Sequence, residues 1–258
     1  MDRINDLVAM ANTLADIAEN TVKQFFRSEF SMTLKESLSP LVTQADLAIE
    51  AQVREYLAKE VPEHAILGEE YGKGGAESEY LWVIDPIDGS SAFSCGKPTF
   101  TTLIALLERG KPIIGVINQP ILKERWCGVA GRKTVFNNHV CDTGEVSKSG
   151  VIRISCTTPF MFDAGGWKKF EKLKRTCTVS SFGGDGYSYG LLASGFVDVV
   201  MEADLQIYDI SSAIPIINGA GGCITDWLGN DITLDTFKGT AIATRNRSLH
   251  EKVLAIIN

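Results

Sequence analysis

The chain has 258 residues, of which 45% are hydrophobic and 22% are charged, and its formal net charge is -7. A chain of this size can bury a large core, while its acidity argues against general nucleic-acid binding, which needs a basic surface that displaces counterions. An acidic protein can still bind a phosphorylated small molecule if divalent cations supply the positive charge.

Two helices are predicted first along the chain. Between residues 3 and 26, apolar side chains recur at spacings of three and four, which is typical of an amphipathic helix. A second helix is expected from about Gln44 to Lys59. It should end before Pro62, because the residue that precedes a proline is displaced from helical backbone angles.

From Leu81 onwards, short apolar or alternating runs are separated by Gly, Pro and Asn, which predicts a sheet of hairpin-connected strands. These runs are "LWVID", "TTLIALLE", "PIIGVIN", "ERWCGVA" and "KTVFN". Beyond about residue 141, strands alternate with helices predicted over residues 185–194, 209–222 and 246–257. The pattern predicts one layered α/β (α+β) domain over 1–258, with an α+β half at about 1–141 and an α/β half at 142–258.

The segment "WVIDPID" ends a predicted strand in two carboxylates, Asp85 and Asp88. Proline fixes its own φ and has no N–H, so the strand is expected to end at Pro86 and the chain to turn there. Two carboxylates that flank such a turn can converge on a hard cation such as Mg²⁺, and the Ile87 carbonyl could add a third oxygen. The alternative is an ordinary polar turn in which Asp88 caps a helix.

Small residues follow this turn directly. Gly89, Ser90 and Ser91 offer successive backbone N–H groups and two hydroxyls. If a helix begins here, its N-terminus could hold an anion such as phosphate. The segment therefore suggests a metal site beside a phosphate site.

Three further acidic segments lie at the edges of apolar elements. Glu69 follows the apolar run "ILG", Asp46 lies near the start of the second helix, and Asp209 begins a later one. Each has a structural explanation, as surface charge, as a first-turn carboxylate or as an N-cap. A shared metal site would explain all of them together.

The segments "PLVTQAD", "LGEE", "WVIDPIDGSSAF" and "YDISSAIPIINGAGG", in this order, resemble the inositol monophosphatase family of Mg²⁺-dependent phosphatases over essentially the whole chain. The resemblance implies a layered α-β-α-β-α sandwich of the inositol monophosphatase and fructose-bisphosphatase type, two or three Mg²⁺ ions and a homodimer. The segment from "TLIALLE" to "RWCGVAG" and the segment from "GGDGYSYG" to "GGCITDW" look like the histidinol-phosphate phosphatase branch.

Residue roles follow from this resemblance position by position. It implies that the metal ligands are Glu69, Asp85, the Ile87 carbonyl, Asp88 and Asp209. It further implies that the attacking water is oriented and activated by Asp46, Glu69 and Ser90, where family members tend to have Thr in place of this serine. The residues implied to bind phosphate are Gly89, Ser90 and Ser91, and those implied to bind the substrate are Glu202, Asp185 and Lys35.

The implied activity is Mg²⁺-dependent hydrolysis of a small phosphate monoester by direct attack of a metal-activated water. Histidinol phosphate is the first choice of substrate, which would place the enzyme in histidine biosynthesis, and inositol monophosphate is the main alternative. A nucleotide or sugar bisphosphate is the third candidate substrate. The alternative outside the enzymes is a binding protein that has the fold but no catalytic activity. Covalent routes fit less well, because Cys127–Arg132 has no Gly-rich phosphate loop and two residues, not one, separate Asp85 from Asp88.

The six cysteines are dispersed and include no CxxC pair, which is expected of reduced thiols in a cytoplasmic protein. The first residues lack the basic-then-apolar order of a signal peptide. No apolar run approaches the roughly 20 residues of a membrane span, so no membrane is expected as a partner. The acidic net charge means that no nucleic acid is expected as a partner either.

Overall fold

The computed structural model describes residues 3–28, 32–34, 41–144 and 150–258. Its α-helices are α1 (Arg3–Phe25), α2 (Gln44–Glu60), α3 (Ser90–Ser94), α4 (Ala164–Lys174), α5 (Asp185–Ala193), α6 (Ile207–Ile210), α7 (Ala213–Gly219) and α8 (Arg247–Ile257). Its strands are β1 (Met32–Leu34), β2 (Leu41–Thr43), β3 (Ala65–Gly68), β4 (Gly72–Gly75), β5 (Tyr80–Asp88), β6 (Thr101–Glu108), β7 (Lys111–Gln119), β8 (Glu124–Val129), β9 (Val135–Phe136), β10 (His139–Val140), β11 (Arg153–Cys156), β12 (Val179–Phe182), β13 (Val199–Glu202), β14 (Cys223–Thr225) and β15 (Ala241–Thr244).

Apolar faces stack these elements into five layers. The outer helices α1 and α2 bury Leu14 and Ile49 against one face of an eight-stranded sheet, whose strand order is β10-β9-β8-β7-β6-β5-β3-β4. Helices α5 and α7 fill the space between this sheet and a five-stranded sheet with the order β12-β11-β13-β15-β14. Helices α4 and α8 cover the far face of the smaller sheet. The predicted α-β-α-β-α sandwich is confirmed.

Strand β5 corrects one prediction, because it runs through Pro86 instead of ending there. Its pairing with β6 shifts between Asp85 and Asp88, so two residues of β5 stand opposite Thr102 alone. This bulge makes the missing proline N–H harmless to the ladder, and the Pro86 carbonyl accepts a hydrogen bond from Thr102 Oγ1 at 2.8 Å. Bulges redirect side chains, and this one carries both aspartates of the motif.

Two other predictions also change. The helix expected over residues 209–222 is divided into α6 and α7, and Pro215 lies in the first turn of α7, where a missing N–H costs nothing. The hairpin of β3 and β4 was not predicted, because "GKGG" carries no apolar pattern.

Within the described part of the chain, every helix is too short or too polar to span a bilayer.

Candidate active site

The bulge of β5 and the start of α6 bring three aspartates together. One oxygen from each of Asp85, Asp88 and Asp209 lies within 4.8 Å of the others. Asp209 is the third residue of α6, where its Oδ2 accepts a hydrogen bond of 2.7 Å from the Gln206 N–H and completes a capping box. The cap fixes the carboxylate that faces the two aspartates of β5.

Burial makes this cluster costly in its charged form. Burial raises the pKa of Asp85 well above its usual value, and the charges of Glu69 and Asp88 raise it further. Burial is also the main cause that raises the pKa of Asp209 to about 8. Asp85 Oδ1 is buried and accepts no hydrogen bond from the described residues. A carboxylate set of this kind fits a hard divalent cation, which would supply both the counter-charge and the missing partner.

Glu69 joins the cluster from the end of β3. Its N–H donates to the Ile84 carbonyl at 3.2 Å, and its side chain is close enough to Asp85 to raise the pKa of that carboxyl. Ile87 also lines the cavity in front of the cluster. Its carbonyl accepts a hydrogen bond of 3.2 Å from Ser90 Oγ, so the proposed metal-ligand carbonyl and the proposed catalytic hydroxyl are in contact.

A short helix begins after the motif, as its small residues suggested. Gly89 is the N-cap of α3 with a left-handed φ of 87°, and it lines the cavity together with Ser90 and Ser91. A Cβ at position 89 would lie 3.1 Å from Asp185 Oδ2 and would also strain the backbone. The glycine therefore lets the chain turn sharply into the cavity.

The cavity in front of these residues has a volume of about 800 Å³. Seven acidic residues line it, namely Glu69, Asp85, Asp88, Asp185, Glu202, Asp204 and Asp209. None of the described residues that line it is a lysine, arginine or histidine. The described part of its wall thus carries acidic groups and no basic ones.

Glu202 lines the cavity at the end of β13 and is only 2% exposed. Its Oε1 accepts hydrogen bonds from the N–H of Thr157, at 3.1 Å, and from the hydroxyl of the same residue. Its Oε2 accepts one from the Tyr189 hydroxyl at 2.9 Å. Burial raises the pKa of Glu202 to about 7 although these donors oppose the shift. The carboxylate is thus buried in the cavity wall and held there by three hydrogen bonds.

Asp185 also lines the cavity, and it does not cap a helix. Gly184 takes the N-cap position of α5 without any side-chain cap, and Asp185 follows with a left-handed φ of 43°. An N-cap residue adopts extended angles instead. The carboxylate faces Gly89, and burial raises its pKa to about 6.

The other two predicted residues are placed differently. Asp46 lies in the first turn of α2 and is 1% exposed, but it is not one of the described residues that line the cavity. Lys35 falls outside the described residues.

Sequence reasoning missed eight residues of the cavity wall, namely Thr157, Met161, Gly186, Ala203, Asp204, Leu205, Gln206 and Tyr208. Gly186 donates its N–H to Asp88 Oδ2 at 2.5 Å, and Asp204 is an exposed acid with a left-handed φ of 57°. The glycine-rich segment before α5 was a signal for the close approach of Gly186 to Asp88. A single surface acid such as Asp204 gives no signal in the sequence.

Comparison with known proteins places this site in a family. The sequence profile of the inositol monophosphatase family matches residues 4–258. The bifunctional phosphatase IMPL2, chloroplastic, of Arabidopsis thaliana is 41% identical over 243 residues, which are 93% of this chain and 70% of the relative. The histidinol-phosphatase of Mycobacterium tuberculosis is 32% identical over 261 residues, which are 98% of each chain.

The fold is similar to that of the same family. A solved structure of an inositol monophosphatase from Zymomonas mobilis superposes with a TM-score of 0.89 and 38% identity, covering 100% of this chain and 99% of that one. Sequence and fold therefore match from end to end.

Proposed function

The chain belongs to the inositol monophosphatase family, and from this premise we propose that it is a magnesium-dependent phosphatase that hydrolyses histidinol phosphate to histidinol. The relatives named as histidinol-phosphatases support the choice of substrate. The acidic wall of the cavity is the observation that carries it.

The cation is proposed to be held by Glu69, Asp85, the Ile87 carbonyl, Asp88 and Asp209, in a site for two or three Mg²⁺ ions. Bound Mg²⁺ would neutralise phosphate oxygens, lower the pKa of a coordinated water and stabilise the leaving alkoxide. All these residues line one cavity, and the buried Asp85 Oδ1 accepts no hydrogen bond from the described residues.

The chain's own groups have three tasks in the proposed reaction. Gly89, Ser90 and Ser91 hold the phosphate oxygens at the start of α3 with N–H groups and hydroxyls. Glu69 accepts the proton of the attacking water, while Asp46 and Ser90 orient that water in line with the leaving oxygen. The water attacks phosphorus directly, so no phosphoenzyme forms.

The charge of the cavity distinguishes the two main substrates. Four of its seven acids are assigned to the cation, which leaves Asp185, Glu202 and Asp204 for the organic half of the substrate. At about 4 Å, one opposite charge near a protein surface is worth about 4 kcal/mol before desolvation is counted. These acids attract the ammonium group and the protonated imidazole of histidinol phosphate, whereas the neutral hydroxyls of inositol phosphate gain no such charge–charge attraction.

The test is phosphate release from L-histidinol phosphate and from myo-inositol 1-phosphate, measured side by side with Mg²⁺ and with EDTA. We expect Mg²⁺-dependent release with a strong preference for histidinol phosphate, and almost no release by Asp88→Asn. Asp204→Asn is nearly isosteric, is exposed and keeps a residue that tolerates a left-handed φ. It should raise the KM for histidinol phosphate and leave the KM for inositol phosphate unchanged.

Other outcomes would select other functions. A preference for inositol phosphate would retain the mechanism and overturn the choice of substrate. Release only from a nucleotide or sugar bisphosphate would favour the third class of substrate. No Mg²⁺-dependent release from any of these esters, with Asp88→Asn indistinguishable from the unmodified protein, would favour a catalytically silent binding protein.

The homodimer and the cytoplasmic location stay predictions from the sequence. Size-exclusion chromatography with light scattering tests the first, and fractionation of the source cells tests the second.

A further inference from the structure

We propose that Glu50 is a positioning residue for the metal site, because it holds the turn between β3 and β4 from which Glu69 projects. The proposal rests on the cation site of the proposed function. Glu50 lies on α2 and is 0% exposed. Burying a carboxylate costs free energy of folding unless hydrogen bonds and an opposite charge offset its desolvation. The partners of Glu50 therefore indicate its structural role.

The partners of Glu50 are the backbone groups that directly follow Glu69. Glu50 Oε2 accepts the N–H of Glu70 at 2.7 Å. Oε1 accepts the N–H of Tyr71 at 3.2 Å, and Arg54 Nε donates to the same oxygen at 2.8 Å. Since the N–H of Glu69 itself is bonded to β5, the backbone is fixed on both sides of the metal-ligand candidate.

A glycine lets the turn come this close to α2. Gly68, immediately before Glu69, has no room for a side chain, because a Cβ there would lie 2.6 Å from Glu50 Oε2. Arg54 donates to the carbonyl of Gly72, which pairs with Gly68 in the hairpin. The end of the turn and the first residue of β4 are therefore bonded to one ion pair on α2.

The same helix also carries Asp46, four residues before Glu50 and so on the same helical face. Asp46 is the residue proposed to orient the attacking water together with Glu69. Glu50 thus gives α2 a rigid link between these two candidates. Outer groups that orient metal ligands typically change metal affinity by about 10–100-fold when they are mutated.

The first test is Mn²⁺ binding followed by electron paramagnetic resonance on the full chain, comparing the unmodified protein with Glu50→Gln. The matched control is Asp198→Asn, which alters another carboxylate that is 0% exposed. Asp198 is bonded by Arg153 at 2.8 Å and Arg245 at 2.6 Å and does not line the cavity. Both variants should lower the melting temperature, but only Glu50→Gln should weaken Mn²⁺ binding, by about tenfold or more.

Equal Mn²⁺ affinity of Glu50→Gln and the unmodified protein would overturn the positioning role and leave the proposed function intact. An unmodified protein that binds no Mn²⁺ would overturn both. If Glu50→Gln does not fold, amide hydrogen exchange of the unmodified, metal-free protein tests the proposal instead. The N–H groups of Glu70 and Tyr71 should then be protected as strongly as those of β3, and exchange at the rate of an open loop would refute the proposal.

Discussion

Gly186 offers a sharp test of the site, because it is a glycine for steric reasons beside a metal-ligand candidate. A Cβ at this position would lie 2.6 Å from Asp88 Oδ2 and 2.8 Å from Leu103 Cδ2. Ordinary contact begins near 3.4 Å, so Gly186→Ala must displace the Asp88 carboxylate by about 0.8 Å. A misplacement of about 1 Å at a reacting centre can cost on the order of 100-fold in rate.

The stability cost of this substitution should be small. Overpacking costs about 1–3 kcal/mol, but alanine gains about 1 kcal/mol over glycine inside a helix. The net loss is therefore expected to be about 0–2 kcal/mol, too little to unfold the chain. Activity should fall far more than stability.

Gly190 is the matched control, one turn later in α5. A Cβ there would lie 2.7 Å from the buried Trp126 ring, and Gly190 does not line the cavity. Urea unfolding and steady-state phosphate release with Mg²⁺ should show comparable stability losses for both variants, but a large fall in kcat/KM for Gly186→Ala alone. Unchanged kcat/KM for Gly186→Ala, or an equal fall for Gly190→Ala, would refute the reasoning.

Three further predictions concern the charged groups. Asp88→Asn should lose nearly all turnover at saturating Mg²⁺, yet its melting temperature in EDTA should not fall, because one carboxylate of a repulsive cluster is removed; a fall would contradict this account of the cluster. Tyr189→Phe removes the hydrogen bond to Glu202 and should lower the free energy of unfolding by about 1.5–3 kcal/mol; an unchanged urea midpoint would argue against that bond. Asp198→Asn leaves two arginines without their carboxylate and should cost about 3–5 kcal/mol at neutral pH in urea unfolding. Burial raises the pKa of Asp198, but hydrogen bonds from Arg153 and Arg245 outweigh burial and lower it overall. The stabilisation should thus be complete above the unfolded value of about 3.9 and be lost as pH falls towards the lower folded pKa, so a gap between the two proteins that closes above pH 5 would contradict it.

Local sequence patterns determined much of the architecture. The spacing of apolar residues was sufficient for α1, and short alternating runs were sufficient for β6 to β8, because burial on one face leaves a periodic trace in the chain. The acids of the Asp-Pro-Ile-Asp-Gly segment were recognisable as a candidate cation site because their chemistry is local. The more distant acids stood out at the edges of apolar elements, the family resemblance implied their roles, and Glu69 and Asp209 line the same cavity as Asp85 and Asp88.

The tertiary structure alone decided the relations between elements that are far apart in the chain. The bulge at Pro86 depends on how β6 pairs with β5, and the approach of Gly186 to Asp88 depends on where α5 docks. From sequence, Glu50 and Arg54 look like an ordinary surface pair at a helical spacing of four, yet Glu50 is fully buried and bonded to the turn after Glu69. Periodicity records which face of an element is buried, but not which other element covers that face.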